Sequence, residues 1–167
     1  MRRGQVVLVD TNVIIEAFRT RCWNAVTAHF SVETAEKCYE EALTGDPARP
    51  GFVMVDAEQL RRGLRARHAL TSDARGALAV NLAFPDALDA GERDLLAHAI
   101  GRSDAWIASC ADRAAVNAAL ELGFEERFVS LEVMARESGA RPALRHHFTD
   151  KWLSGVRTEY KMDRGLK

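Results

Sequence analysis

Two acids of the sequence stand where an apolar run stops: Asp10 directly after Val6–Val9, and Asp112 just after residues 105–110. If those runs are parallel strands, both acids lie beyond strand carboxyl ends, where open α/β sheets bind ligands. Glu36 and Glu92 add carboxylates near the starts of predicted helices. Gathered together, such groups suit Mg2+ or Mn2+, hard cations that prefer oxygen ligands. Mg2+ keeps several waters and completes its shell with a few carboxylates and a substrate phosphate. Crowded acids repel one another, so without a cation some retain protons. A divalent ion lowers the pKa of bound water to make a nucleophile, and a second stabilises the leaving oxygen of an in-line phosphodiester displacement.

Each acid also has a purely structural reading. Asp10-Thr11-Asn12 and Asp112 are both suited to cap a following helix, and Asp89-x-x-Glu92 fits a capping box. Glu36 shares a solvated helix face with Glu40 one turn on. If Asp10 binds metal, Thr11 and Asn12 are placed to orient it or a metal-bound water. Arg61, Arg62, Arg65 and Arg67 form a basic cluster that would either contact phosphates or be simply solvated, and Arg113 stands beside Asp112. His98 reads as a core or boundary residue, and Trp23, Trp106 and Trp152 as packing anchors. Adjacent His146 and His147 face different directions on a helix and make a poor shared ligand pair. No P-loop, dinucleotide-binding glycine pattern or nucleophile elbow is present.

The elements that must position these acids alternate. Residues 5–9 form a valine-rich run suited to a doubly buried strand, and 13–19 take up helical spacing. Residues 30–32 form a weaker strand, followed by a helix with the stripe Ala35, Cys38, Tyr39, Ala42 and Leu43. Gly45, Asp46, Pro47, Pro50 and Gly51 punctuate its end. Residues 52–55 read as a brief strand or an extended connection, and 57–67, 72–82 and 90–101 as helices. Residues 105–110 make a second buried strand, 113–122 a helix stopped by Gly123, and 128–130 a third strand. Residues 131–138, 142–148 and 150–161 read as helical, with Gly139, Pro142 and Gly155 as breaks. The pattern predicts an α/β fold with a central parallel sheet and helices on both faces.

On these motifs the chain resembles the PIN-domain family of metal-dependent nucleases, which includes ribonuclease toxins of toxin-antitoxin pairs. VVLVDTNVIIEAF resembles the family's opening strand with its Asp-Thr-Asn or Asp-Thr-Ser signature. SVETAEKCYEEAL, LDAGERDLLAHA and WIASCADRAAVNAALELGF resemble the segments that carry its second, third and fourth acids. The resemblance runs in order over roughly residues 5–130. It implies a three-layer α/β/α PIN-like domain over 1–167, with about 140–167 as a helical C-terminal extension. By carry-over it names Asp10, Glu36, Glu92 and Asp112 as catalytic and metal-binding residues, with Glu40 as the alternative to Glu36. It further implies an endoribonuclease acting on RNA to leave 5′-phosphate and 3′-hydroxyl ends, and an antitoxin protein as partner.

The composition of the 167 residues, 47% hydrophobic and 28% charged with four prolines, is that of an ordinary globular domain. No stretch is long enough to span a bilayer, and Asp10 and Asn12 interrupt the first apolar run before a signal-peptide core is complete. Cys22, Cys38 and Cys110 show no C-x-x-C pairing, which suggests neither a disulfide framework nor a zinc site, and the cytoplasm is the expected compartment. The formal net charge of −1 is less basic than that of most nucleic-acid binders. Bound divalent ions would add positive charge where the acids gather. Apolar residues of the late helices belong either to the core or to a homodimer interface. Two competing functions remain: a phosphohydrolase using Asp10 as nucleophile, for which Asn12 stands where a second acid is commonly needed, and a PIN-like scaffold that binds protein or RNA without catalysis.

Overall fold

The computed structural model describes residues 1–45, 47–48 and 50–165; of the punctuating residues after the third helix, Asp46 lies outside them. The first apolar run forms β1 (Val6–Val9), buried along its whole length. Asp10 then caps α1 (Thr11–Arg19). A short helix the sequence pattern had not marked, α2 (Trp23–His29), leads into β2 (Ser31–Ala35), which is longer than the expected 30–32. α3 (Glu36–Leu43) follows without a break, and the chain then reaches α4 (Ala57–Gly63) with no regular strand at 52–55.

The expected helix over 57–67 stops at Gly63, and its last residues become β3 (Ala66–His68). The close approach of α2 is the physical reason. A Cβ on Gly63 would stand 2.6 Å from Trp23 Nε1, so only glycine lets α4 end against that indole. Leu64 then turns to extended backbone, and Arg65 N–H donates to Val32 C=O at 2.7 Å, placing the chain alongside β2. Helices α5 (Ser72–Asn81) and α6 (Ala90–Ile100), strand β4 (Trp106–Ser109) and helix α7 (Arg113–Glu121) lie close to their expected bounds. The expected strand 128–130 is reduced to a single parallel bridge from Phe128 to Ala108.

The late segments differ most. After α8 (Leu131–Glu137), residues 142–148 are helical only in the 3-10 turn His146–Phe148. Buried Glu16 ties this segment down, accepting from Arg145 N–H at 2.8 Å while it pairs with Arg19. α9 (Asp150–Asp163) passes through Gly155, where a break was expected. An interior glycine costs a helix only about 1 kcal/mol relative to alanine. The Thr149 cap and the burial of Trp152, Leu153 and Val156 offset that cost.

The sheet is all parallel in the order β3-β2-β1-β4. Side chains of β1 alternate between two cores. Val6 and Leu8 pack with residues of α5, α6, α7 and α9 on one face, and Val7 and Val9 with those of α1, α2, α4 and α8 on the other. The architecture is therefore three-layer α/β/α. The register sets Val9 beside Ser109, so Asp10 and Cys110 leave the sheet side by side. No helix among the described residues is long and apolar enough to cross a membrane.

Candidate metal centre

Asp10 is 1% exposed and both its oxygens are engaged. Oδ1 accepts from Val13 N–H at 2.7 Å, capping α1. Oδ2 accepts from the Cys110 thiol at 2.7 Å and from Ala111 N–H at 3.4 Å. Burial pushes the Asp10 carboxyl up to about 6, although these donors oppose the shift. The cap and the cluster are thus functions of one side chain.

Glu92 arrives from the first turn of α6. The capping box is present: Asp89 Oδ1 accepts from Glu92 N–H at 2.8 Å, and Glu92 Oε2 accepts from Asp89 N–H at 3.1 Å. That bond holds the carboxylate at the helix start, and it does not keep Glu92 out of the cluster. One carboxylate oxygen each from Asp10 and Glu92 and the Cys110 sulfur all lie within 4.8 Å of one another. Burial, and then the neighbouring charges of Asp112, Asp89 and Asp10, push Glu92 up to about 8. Such mutual destabilisation of charge is what a divalent cation relieves. Burial first, and then Asp10, hold the Cys110 thiol well above its usual range.

Asp112 sits beside this group, close enough to raise Glu92, while its Oδ1 caps α7 by accepting from Ala114 and Ala115 N–H at 2.7 and 3.3 Å. It borders a cleft of about 210 Å³ with Ala111, Arg113, His147 and Trp152. Of the acids the sequence singled out, Asp10 and Glu92 meet directly and Asp112 adjoins them. Glu36 instead pairs with Arg67 at 3.4 Å, with its side chain 37% exposed. Glu40, the alternative, pairs with Lys37 at 3.4 Å on the surface.

The acid that α3 does send inward is Glu41. Its Oε2 accepts from the Thr11 hydroxyl at 2.8 Å. A Cβ on Gly91 would stand 2.6 Å from that oxygen and 3.0 Å from Cys38 Sγ. Gly91, next to Glu92 in the chain, is thus what allows α3 and α6 to close on each other beside the acids. Glu41 lies one turn after buried Cys38, but Glu36 stands one turn before Tyr39 of the same apolar stripe, so the spacing signal did not single out Glu41. Cys110 carried no such signal, because its neighbour across the sheet depends on strand order and register.

The other candidates disperse. Thr11 orients Glu41 rather than Asp10, and Asn12 lines a separate depression with Ile15, Phe52 and Arg145. Arg61 and Arg62 belong to α4, whereas Arg65 faces Glu33 and Arg67 lies over Tyr39 and pairs with Glu36, so they do not form one helix face. Arg113 pairs with Glu159. Trp23, Trp106 and Trp152 are buried packing residues. His146 and His147 are exposed in a 3-10 turn.

The donor set fits a divalent cation: two buried carboxylates at one point, with Asp112 alongside and one sulfur softer than Mg2+ prefers. No family model matches the chain, and no curated protein matches its sequence.

Proposed function

We propose that the chain is a divalent-metal-dependent ribonuclease of PIN-domain type, hydrolysing phosphodiester bonds of RNA with Mg2+ or Mn2+. The observation that carries this reading is the convergence of Asp10 and Glu92 within 4.8 Å at the carboxyl edge of a parallel sheet. It is supported by Asp112 beside them and by the order in which the motifs follow one another. Asp10, Glu92 and Asp112 would hold the ion, with Glu41 the neighbouring acid from α3. When bound, the ion supplies Lewis-acid activation of water and stabilisation of the leaving oxygen. The chain's own share is positioning. The helix caps fix Asp10, Glu92 and Asp112 before any ion arrives, and a small cleft borders Asp112 and Arg113.

The test is cleavage of a labelled RNA by the full chain with Mn2+ or Mg2+, and with chelator. Cleavage should require the metal and fall at least about a hundredfold in Asp10→Asn, on the scale of losing a group that acts in the transition state. Asparagine is as good a helix cap as aspartate, so circular dichroism should be unchanged. Metal-dependent cleavage that survives in Asp10→Asn overturns the proposal. An antitoxin partner would be a small protein that occludes the same cleft, and its test is protection of this RNA from cleavage.

One observation favours the scaffold reading instead. Both oxygens of Asp10 and one of Glu92 already hold protein donors. A site that never takes an ion would show no heat on Mn2+ titration, whereas the nuclease reading expects stoichiometric binding.

A further inference from the structure

On the same face of the sheet, farther from its carboxyl edge, β2, β3 and α6 bring together a second and chemically different set of side chains. Glu33, His68 and His98 each place one ligand atom so that all three lie within 4.8 Å of one another. Glu33 is 4% exposed in the middle of β2. Its Oε2 lies 2.9 Å from His68 Nε2 and accepts from Arg102 Nη1 at 2.6 Å. The two imidazoles stack with centroids 3.8 Å apart and planes 18° from parallel. Arg102 Nη1 also lies 2.8 Å from His98 Nε2. Arginine has only donors, so this histidine nitrogen presents its lone pair.

An oxygen and a nitrogen lone pair thus converge on one cationic guanidinium nitrogen, with a second imidazole nitrogen beside them. We propose that Glu33, His68 and His98 form a transition-metal site separate from the acid cluster, with Arg102 Nη1 holding the cation's place when no ion is bound. Two imidazoles and one carboxylate suit Zn2+ or a comparable borderline ion, and do not suit Mg2+. His68 would ligate through Nε2 by shifting its proton to Nδ1.

Arg102 does not have to be expelled for this to happen. Its Nε and Nη2 are held by Asp104 at 2.8 and 2.6 Å on the surface side, so the rigid guanidinium clears the position by swinging outward as a unit, with the half-exposed Asp104 carboxylate following it and the ion pair kept. Arg65 Nη1 approaches only the other oxygen of Glu33, at 3.6 Å. Access is from the sheet edge, where no further strand among the described residues pairs with β3 and the His68 side chain is 25% exposed. His98 follows Glu92 by six residues on α6, about 9 Å of helix rise. The two sites are therefore independent, and this one does not rest on the nuclease reading.

Co2+ is the probe, added to the full chain and read by its visible absorption and by circular dichroism. Histidine-coordinated Co2+ should absorb in the wild type and in Asp10→Asn, and lose that absorption in a folded His68→Gln. Arg102→Gln should bind Co2+ about tenfold more tightly, the scale on which neighbours of a metal site alter affinity. Absorption that survives His68→Gln in the Asp10→Asn background overturns the proposal, as does its absence from both the wild type and Arg102→Gln. The arginine variant keeps the test decisive if His68→Gln fails to fold.

Discussion

Asp10 and Glu92 each hold a helix start in place while facing a like charge, and the two demands conflict as pH rises. Their folded values, about 6 and about 8, stand above the ordinary 3.8 and 4.5. The folded protein therefore binds protons at these two groups that the unfolded chain has released, so their contribution to stability is greatest below the unfolded values and is lost as pH rises through the folded ones. Without metal, the urea midpoint should fall as pH rises from about 4.5 to about 8, the window these values set. Mn2+ should flatten that slope by replacing the protons. Glu92→Gln removes the larger of these two carboxyl shifts and should make the metal-free protein less sensitive to pH while weakening Mn2+ binding. A slope unchanged in that variant would mean that Glu92 does not titrate in this window. A second residue-scale prediction concerns Gly91. In Gly91→Ala the new methyl meets the end of Glu41, a flexible side chain that can move aside, and buried Cys38 Sγ at 3.0 Å, which has to give by a few tenths of an ångström against the propensity gained. The helix gains up to about 1 kcal/mol of propensity, so thermal stability should hold while Mn2+ affinity falls about tenfold, as when a neighbour of a metal ligand is disturbed. Affinity equal to wild type would place Glu41 outside the centre.

Helix caps and glycines decide where the elements stop, and here local sequence was informative. Asp10, Asp56, Thr71, Asp89, Asp112, Ser130 and Thr149 all cap helices with their side chains. Capping depends on residues within three positions, so it can be read from the chain. The end of α4 was not legible in the same way. The residues after Gly63 keep a helical composition, and only contact with Trp23 and the open edge of β2 turns them into β3. Gly63→Ala forces a methyl onto a buried indole that has no room to yield. The cost should be about 1–3 kcal/mol, the usual range for overpacking. A loss of that size in the urea midpoint, with a shift in Trp23 fluorescence, would confirm the packing; no change in either would refute it. α2 went unread for a related reason. Its buried residues Trp23 and Val26 are too few to set up a periodic stripe.

Across the whole molecule, β1 is shared by both cores, so its side chains couple the two helical layers. Leu8 is fully buried between β1 and the α6 layer. Leu8→Ala should cost about 2–5 kcal/mol, read as a lower urea midpoint at unchanged slope. A loss under about 1 kcal/mol would mean the site collapses to fill the space. The alternation of apolar runs and helices was enough to specify an α/β fold with a parallel sheet, because burial on both faces leaves its mark in composition. The sequence likewise determined that Asp10, Asp112 and Glu92 stand at element ends, since that follows from residues adjacent in the chain. Which of the acids meet was decided only by the tertiary structure. Register puts Cys110 beside Asp10, the closeness of α3 and α6 at Gly91 brings in Glu41, and the facing of α3 leaves Glu36 and Glu40 outside. The physical reason is that an acid's place along the chain is local, whereas its distance from another acid depends on strand order and helix packing, which residues far apart in sequence fix together.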